Sequence, residues 1–298
     1  MKRFLTACSV SALSPLHNRL RLLAALLATT LAPLPALADL MLYPARITLE
    51  TNQRVAKLQL VNQGLQPNSY RISVVNRRMT ETGQIVAAGT PEPGEQFAQD
   101  LIRYSPRQVT LQPGEAQTVR ISVRKPAGLA AGEYRSHLQF ERLPDAEGRS
   151  DLTQATHEES VQTSIKLTAL IGASIPVIVR HGDTAATVTL DTLALERAIP
   201  VASTAEGAPL LSFHMNRSGN RSVYGNLSAS YTPPGGRPLE VGAVNGVAVY
   251  VPNALRTAKL PLSLPQGLAL RGGVITLRYE QRAEDGGKPM AQATIAVP

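Results

Sequence analysis

"SIKLTALIGASIPVIVR", Ser164 to Arg180, is the stretch on which the reading of this chain turns. Its odd positions are Ile165, Leu167, Ala169, Ile171, Ala173, Ile175, Val177 and Val179. Between them stand Lys166, Thr168, Gly172, Ser174, Pro176 and Arg180, among others. An apolar residue at every second place is the pattern of a strand with one buried face. At about 3.3 Å per residue the run would reach roughly 55 Å, whereas an ordinary strand has about five or six residues. Pattern alone leaves two readings open. The run is one over-long strand, or it is two core strands meeting at Gly172, since glycine inside a strand often marks a bulge or bend.

The same alternation recurs on both sides of this run. Upstream, "RVAKLQLVNQG" turns Ala56, Leu58 and Leu60 one way, "NSYRISVVN" does so with Tyr70, Ile72 and Val74, and "GEYRSHLQF" with Tyr134, Ser136, Leu138 and Phe140. In "RQVTLQPGEAQTVRISV", Val109 and Leu111 lead to a turn at Pro113-Gly114, then Val119, Ile121 and Val123. Downstream of "RHGDTA" (Arg180 to Ala185) the pattern restarts and gives seven more short runs, from "ATVTLDTLAL" to "AQATIAVP". The 22 glycines and 22 prolines punctuate these runs, and almost nothing has helical periodicity. The expected fold class is all-β, two tandem immunoglobulin-like β-sandwich domains. Their expected extents are residues 39–181 and 182–298.

Residues 1–38 read as a signal peptide. Lys2, Arg3, Arg19 and Arg21 make a basic start, "LLAALLATTLAPL" is too short to span a bilayer, and "ALA" at Ala36 to Ala38 fits a cleavage site. The single cysteine, Cys8, lies in that leader. The mature chain would therefore have no disulfide and no thiolate site, and each domain must rest on its apolar core. No other apolar run is long enough to cross a membrane, so an exported protein without stable membrane insertion is expected. Past the leader, 26 Lys and Arg face 22 acidic residues, a net charge of +4. Without a basic run interleaved with aromatics, nucleic-acid binding is not supported.

Catalytic and metal motifs are missing from the sequence. His137, His157, His181 and His214 show no metal-ligand spacing. His137 falls on the polar side of its strand, where a solvated side chain is expected. There is no G-x-S-x-G, no phosphate-cradling loop and no dinucleotide fingerprint. The Glu158-Glu159 pair lies in a polar loop and does not make an acid–base dyad. The expectation is a protein that is not an enzyme and takes no cofactor and no metal.

Four stretches, in order behind the leader, resemble the periplasmic pilus-assembly chaperones, the PapD-like family. "LYPARITLE" (Leu42 to Glu50) looks like that family's first strand, with Arg46 on its arginine position. "SPRQVTLQPGEAQTVRI" (Ser105 to Ile121) is similar to its P-x-x-x-x-L-x-P-G-x-x-x-x-V-R pattern. "GEYRSHLQFERLP" (Gly132 to Pro144) and "IPVIVRHG" (Ile175 to Gly182) look like two of its later strands. The likeness covers nearly all of residues 40–182. It is weaker beyond, where "NRSGNRSVYG" (Asn216 to Gly225) is the best piece.

The resemblance implies a function for the long run. A pilus subunit lacks its last strand, and a chaperone of this kind lends one, filling the groove with alternate apolar side chains and a backbone ladder. Ile165, Leu167, Ala169 and Ile171 would be the donated residues, with Ile175, Val177 and Val179 kept for the protein's own core. The family also holds the subunit's terminal carboxylate with an arginine and a lysine. Arg46 takes the arginine place, but Pro176 falls where the lysine is expected. Three alternatives stay open: Lys166 serves as the second anchor, another base such as Arg180 substitutes, or the anchoring differs. The implied partners are pilus or fimbrial subunits and an outer-membrane usher, and the implied location is the periplasm. Whether the free protein forms a self-dimer through its edge is left open. The alternative class is a structural or adhesive surface protein of tandem sandwiches.

Overall fold

The computed structural model describes residues 39–144, 172–197 and 208–298. Among these, every regular element is a strand except a 3₁₀ turn at Ala283–Asp285. No helix among the described residues is long and apolar enough to cross a membrane.

The first sandwich packs a four-stranded sheet on a five-stranded one. The first has the order β1 (Leu40–Tyr43), β3 (Val55–Asn62), β9 (Ala116–Val123), β7 (Ile102–Ser105). The second has the order β2 (Ile47–Leu49), β11 (Gly172–His181), β10 (Gly132–Arg142), β4 (Asn68–Val75), β8 (Gln108–Leu111). Period-two alternation explains what lies between the sheets. Leu58, Leu60, Val119, Ile121, Leu138, Phe140, Val177 and Val179 are buried in one cluster. Ile175 joins it, so the downstream half of the long run packs in this domain's own core, as expected. The chain's first strand changes sheets. β1 pairs antiparallel with β3, and past Pro44, Ala45 and Arg46, β2 pairs parallel with β11 in the opposite sheet. That crossing carries Arg46 to the rim of the second sheet.

Gly182, at φ +65°, turns the chain out of β11 toward the second sandwich. There the order is β12 (Ala186–Arg197), β13 (Pro209–Gly219), β16 (Leu255–Pro261) against β15 (Leu239–Val249), β14 (Val223–Thr232), β17 (Val274–Glu280), β18 (Pro289–Ala296). These seven strands match the seven runs read from the sequence. Tyr231 and Tyr279 are almost fully buried in this core. Both hydroxyls are satisfied there, Tyr231 donating to Arg271 O at 3.0 Å and Tyr279 to Val247 O at 2.7 Å.

A hairpin of the first domain, β5 (Arg77–Met79) and β6 (Ile85–Ala87), reaches across to the second. Thr257 N donates to Glu81 O at 2.8 Å, and Asn253 Nδ2 to Met79 O at 3.0 Å. Met79 and Ile178 close a small apolar cluster with Ala248 and Tyr250 of the second domain. The outward face of the five-stranded sheet is therefore partly covered by the neighbouring sandwich, and the cleft between them is the feature that matters below.

Candidate functional site: an open strand edge and an interdomain cleft

On one flank β11 is paired along its length, from Gly172 opposite Glu141 to His181 opposite Gly132. On the other flank β2 covers only Val177, Ile178 and Val179. Among the described residues, Gly172 to Pro176 are thus paired on a single side. A bare row of backbone donors and acceptors is a template for another strand. Ala173 and Ile175 point to the core side of this edge, while Gly172 and Ser174 are exposed. A hollow of about 590 Å³ lies beside it, rimmed by Arg71, Arg77 and Arg142. Ile165, Leu167, Ala169, Ile171 and Lys166, which precede Gly172, lie outside the described residues.

Arg46 stands just ahead of β2, where the covered part of the edge gives way to the open part. It lines a cleft of about 760 Å³ between the two domains. Its guanidinium lies 4.3 Å from the ring centre of Tyr224 and 5.4 Å from that of Tyr250. It donates long hydrogen bonds, 3.4 Å each, to Tyr250 Oη and to Thr48 Oγ1. Among the described residues no carboxylate lies within ion-pairing distance of it. The aromatic rings hold the cation in place and leave donors to spare. Arg46 is therefore a cleft residue and not an ordinary surface arginine at a strand end.

The domains are locked together by a buried charge node next to this cleft. Arg180 Nε donates to Glu133 Oε2 at 3.1 Å, and Arg180 Nη1 meets Glu50 Oε1 at 2.5 Å. Across the interface, Ser222 N donates to Glu133 Oε2 at 3.1 Å and Ser222 Oγ donates to Glu133 Oε1. Glu133 and Arg180 are both buried, and a buried pair needs this saturation to offset its desolvation. Arg180, one candidate for the missing lysine, is thus engaged by two carboxylates of its own chain.

The polar side of β10 departs from expectation. Glu133, Arg135 and His137 are all buried, His137 at 3% exposure. The solvated histidine expected from the sequence is corrected by the structure. Burial, together with the nearby Arg135 and Arg77 guanidinia, pushes His137 down to about 3. It is neutral at any ordinary pH, and its Nδ1 has no partner among the described residues. Arg135 is buried against the Tyr250 ring, 4.3 Å from its centre, and burial pushes its pKa down. The alternation marks this face as polar, but Tyr250 covers Arg135, Ser222 holds Glu133, and the first domain's own Glu95, Gln96 and Phe97 close the same pocket. Tyr224, which lines the cleft, falls in the "NRSGNRSVYG" stretch, but neither it nor Tyr250, which packs against Arg46, is marked by the alternation as a site residue.

No group of three or more His, Cys, Asp or Glu that could hold a metal occurs among the described residues. The site is thus an unpaired strand edge running up to a cationic, aromatic-lined cleft, on a frame of two sandwiches. No protein-family model and no curated protein matches the chain. Among solved structures it is similar to the YadV chaperone, at 10% identity and a TM-score of 0.44, over 87% of this chain and 100% of that one. It is similar to the CupB2 chaperone of Pseudomonas aeruginosa, at 10% identity and 0.43, over 86% and 98%. A third is the CsuC–CsuE chaperone–tip adhesion subunit complex of Acinetobacter baumannii, at 13% identity and 0.39, over 87% and 98%. Many of the neighbours are fimbrial chaperones. Superpositions at this level assign no residue or partner to this chain.

Proposed function

We propose that the protein is a periplasmic chaperone for pilus or fimbrial subunits, and that it works by lending its long alternating strand to an incomplete subunit. The observation that carries this reading is the one-sided pairing of Gly172 to Pro176. An incoming strand laid on this edge takes up the line of β2 and extends the five-stranded sheet. Ile165, Leu167, Ala169 and Ile171 then enter the subunit's groove at period two, which fixes register. If the incoming strand runs parallel to β11, as β2 does, its end comes up against Arg46. A free terminal carboxylate there gains charge-assisted hydrogen bonds from a guanidinium that has no acid of its own. Lys166 remains the weaker candidate for a second anchor. Delivery of the capped subunit to an outer-membrane usher completes the proposal, without a nucleotide or another cofactor.

The test is native mass spectrometry of the protein released gently from cells that are making pili. A one-to-one complex with a small β-rich secreted protein is expected, and it should vanish when Leu167 and Ile171 are both changed to Glu. A protein that stays monomeric in such cells would favour an independent adhesive or structural role for its two sandwiches.

A further inference from the structure

The cleft holds a second guanidinium without an acid of its own, and it comes from the other domain. Arg221 lines the same hollow as Arg46. Among the described residues no carboxylate lies within ion-pairing distance of its side chain. The other two cleft arginines differ. Arg180 is taken by Glu50 and Glu133, and Arg282 by Glu284 and Asp285.

Arg221 is also held firmly by its backbone. The buried Arg217 reaches around the turn before β14, donating from Nη1 to Gly219 O at 2.7 Å and to Arg221 O at 3.0 Å. The same guanidinium donates from Nε to Asn253 O at 2.8 Å, tying the turn to the loop after β15. The next residue, Ser222, is fixed to Glu133 through its backbone N and its hydroxyl. Glu133 in turn binds Arg180 on β11, the strand that β2 and Arg46 flank. The turn that carries Arg221 is therefore placed relative to Arg46 by a chain of buried polar contacts.

Burial and, after it, the positive field of Arg180 lower the Arg221 pKa; Glu50 and Glu133 oppose them, and Arg46 adds weakly to the lowering. Two guanidinia that line one hollow, neither ion-paired among the described residues, favour an anion between them. A carboxylate has room on its two oxygens for donors from both sides.

We propose that Arg46 and Arg221 form a two-domain clamp for the terminal carboxylate of the bound subunit, with Arg221 in the role for which Pro176 leaves no lysine. This rests on the strand-donation reading above. It adds that the second cation is contributed by the second domain. Because Glu133, Arg180 and Ser222 already fix the domains to each other, the two guanidinia are presented as a preformed pair.

The test follows the arginine Nε–H resonances of the purified protein during titration with an acetylated Thr/Val tetrapeptide, as free acid and as C-terminal amide. The free acid should shift Arg46 and Arg221 along one binding curve, and the amide should shift neither. R221Q should weaken acid binding about tenfold, about 1.4 kcal/mol, and R221K should weaken it less, because the charge stays and the fork is lost. Thermal melts of both variants check that they fold, and the wild-type resonances carry the test if one does not. If the acid moves Arg46 alone and R221Q binds it as the wild type does, the clamp is refuted while the single-arginine anchor stands. If acid and amide behave alike at both arginines, carboxylate anchoring itself is refuted, and the clamp with it.

Discussion

His137 offers a quantitative test of how well the outward face of β10 is buried. Its ring lies on the outward face of β10, buried to 3% exposure, with its pKa lowered from 6.5 to about 3. In the unfolded chain the imidazole takes a proton near its ordinary value, and in the folded protein it does not. The folded pKa is the depressed one. Stability is therefore complete above pH 6.5, falls as the pH drops below that value, and levels off near the folded pKa. Each pH unit in that window removes about 1.4 kcal/mol, so at pH 5 the loss through this one residue is about 2 kcal/mol. Replacing His137 by Gln removes the titration and keeps a polar side chain of similar length. Urea unfolding of both proteins at pH 7.5, 6, 5 and 4.5 isolates the effect, because the other titrating groups are shared and cancel in the difference. The variant should gain on the wild type by about 2 kcal/mol between pH 7.5 and pH 5. A difference that does not change with pH would mean that His137 titrates alike in both states, and that this face is wet and not covered.

Three further outcomes are expected. Glu133→Ala takes the shared acceptor from Arg180 and Ser222 and should lower stability by about 3 kcal/mol in urea unfolding, while Glu133→Gln, which keeps an acceptor for Ser222, should lose less. Gly225→Ala would place a Cβ 2.1 Å from the backbone oxygen of Glu280, so β14 and β17 must part and the melt should show a loss of about 2 kcal/mol or more. Changing Leu167 and Ile171 to Glu should abolish subunit capture and leave the melting temperature unchanged; unfolding of that variant would place both residues in a core of the protein itself.

The frame of this protein is written locally, which is why it can be read from the chain. Val119, Ile121, Leu138, Phe140, Val177 and Val179 are inward because a strand's period is two, and the turn at Pro113-Gly114 is set by Gly114 at φ +75°. Arg46 is reachable only through a family resemblance, since one arginine between a proline and a short strand carries no pattern. What the alternation cannot convey is what covers an outward face. Glu133, Arg135 and His137 look wet in sequence and are buried in the structure, Glu133 and Arg135 against Ser222 and Tyr250 of the second sandwich. Ser222 and Arg221 sit about ninety residues along the chain from Glu133, and nothing local relates them. The hinge of the fold is thus legible, and the chemistry of the cleft that the hinge creates is not.

The central claim is that the chain ahead of Gly172 becomes the missing strand of another protein. Hydrogen–deuterium exchange over residues 164–176, free and in the subunit complex, addresses it most directly. Backbone pairing slows amide exchange along a strand whatever the side chains are. The account predicts fast exchange of Ile165 to Ile171 in the free protein and strong protection of the same amides in the complex, lost with the double Glu variant. Exchange through this segment that is equally fast in both states would contradict it, even if a complex forms.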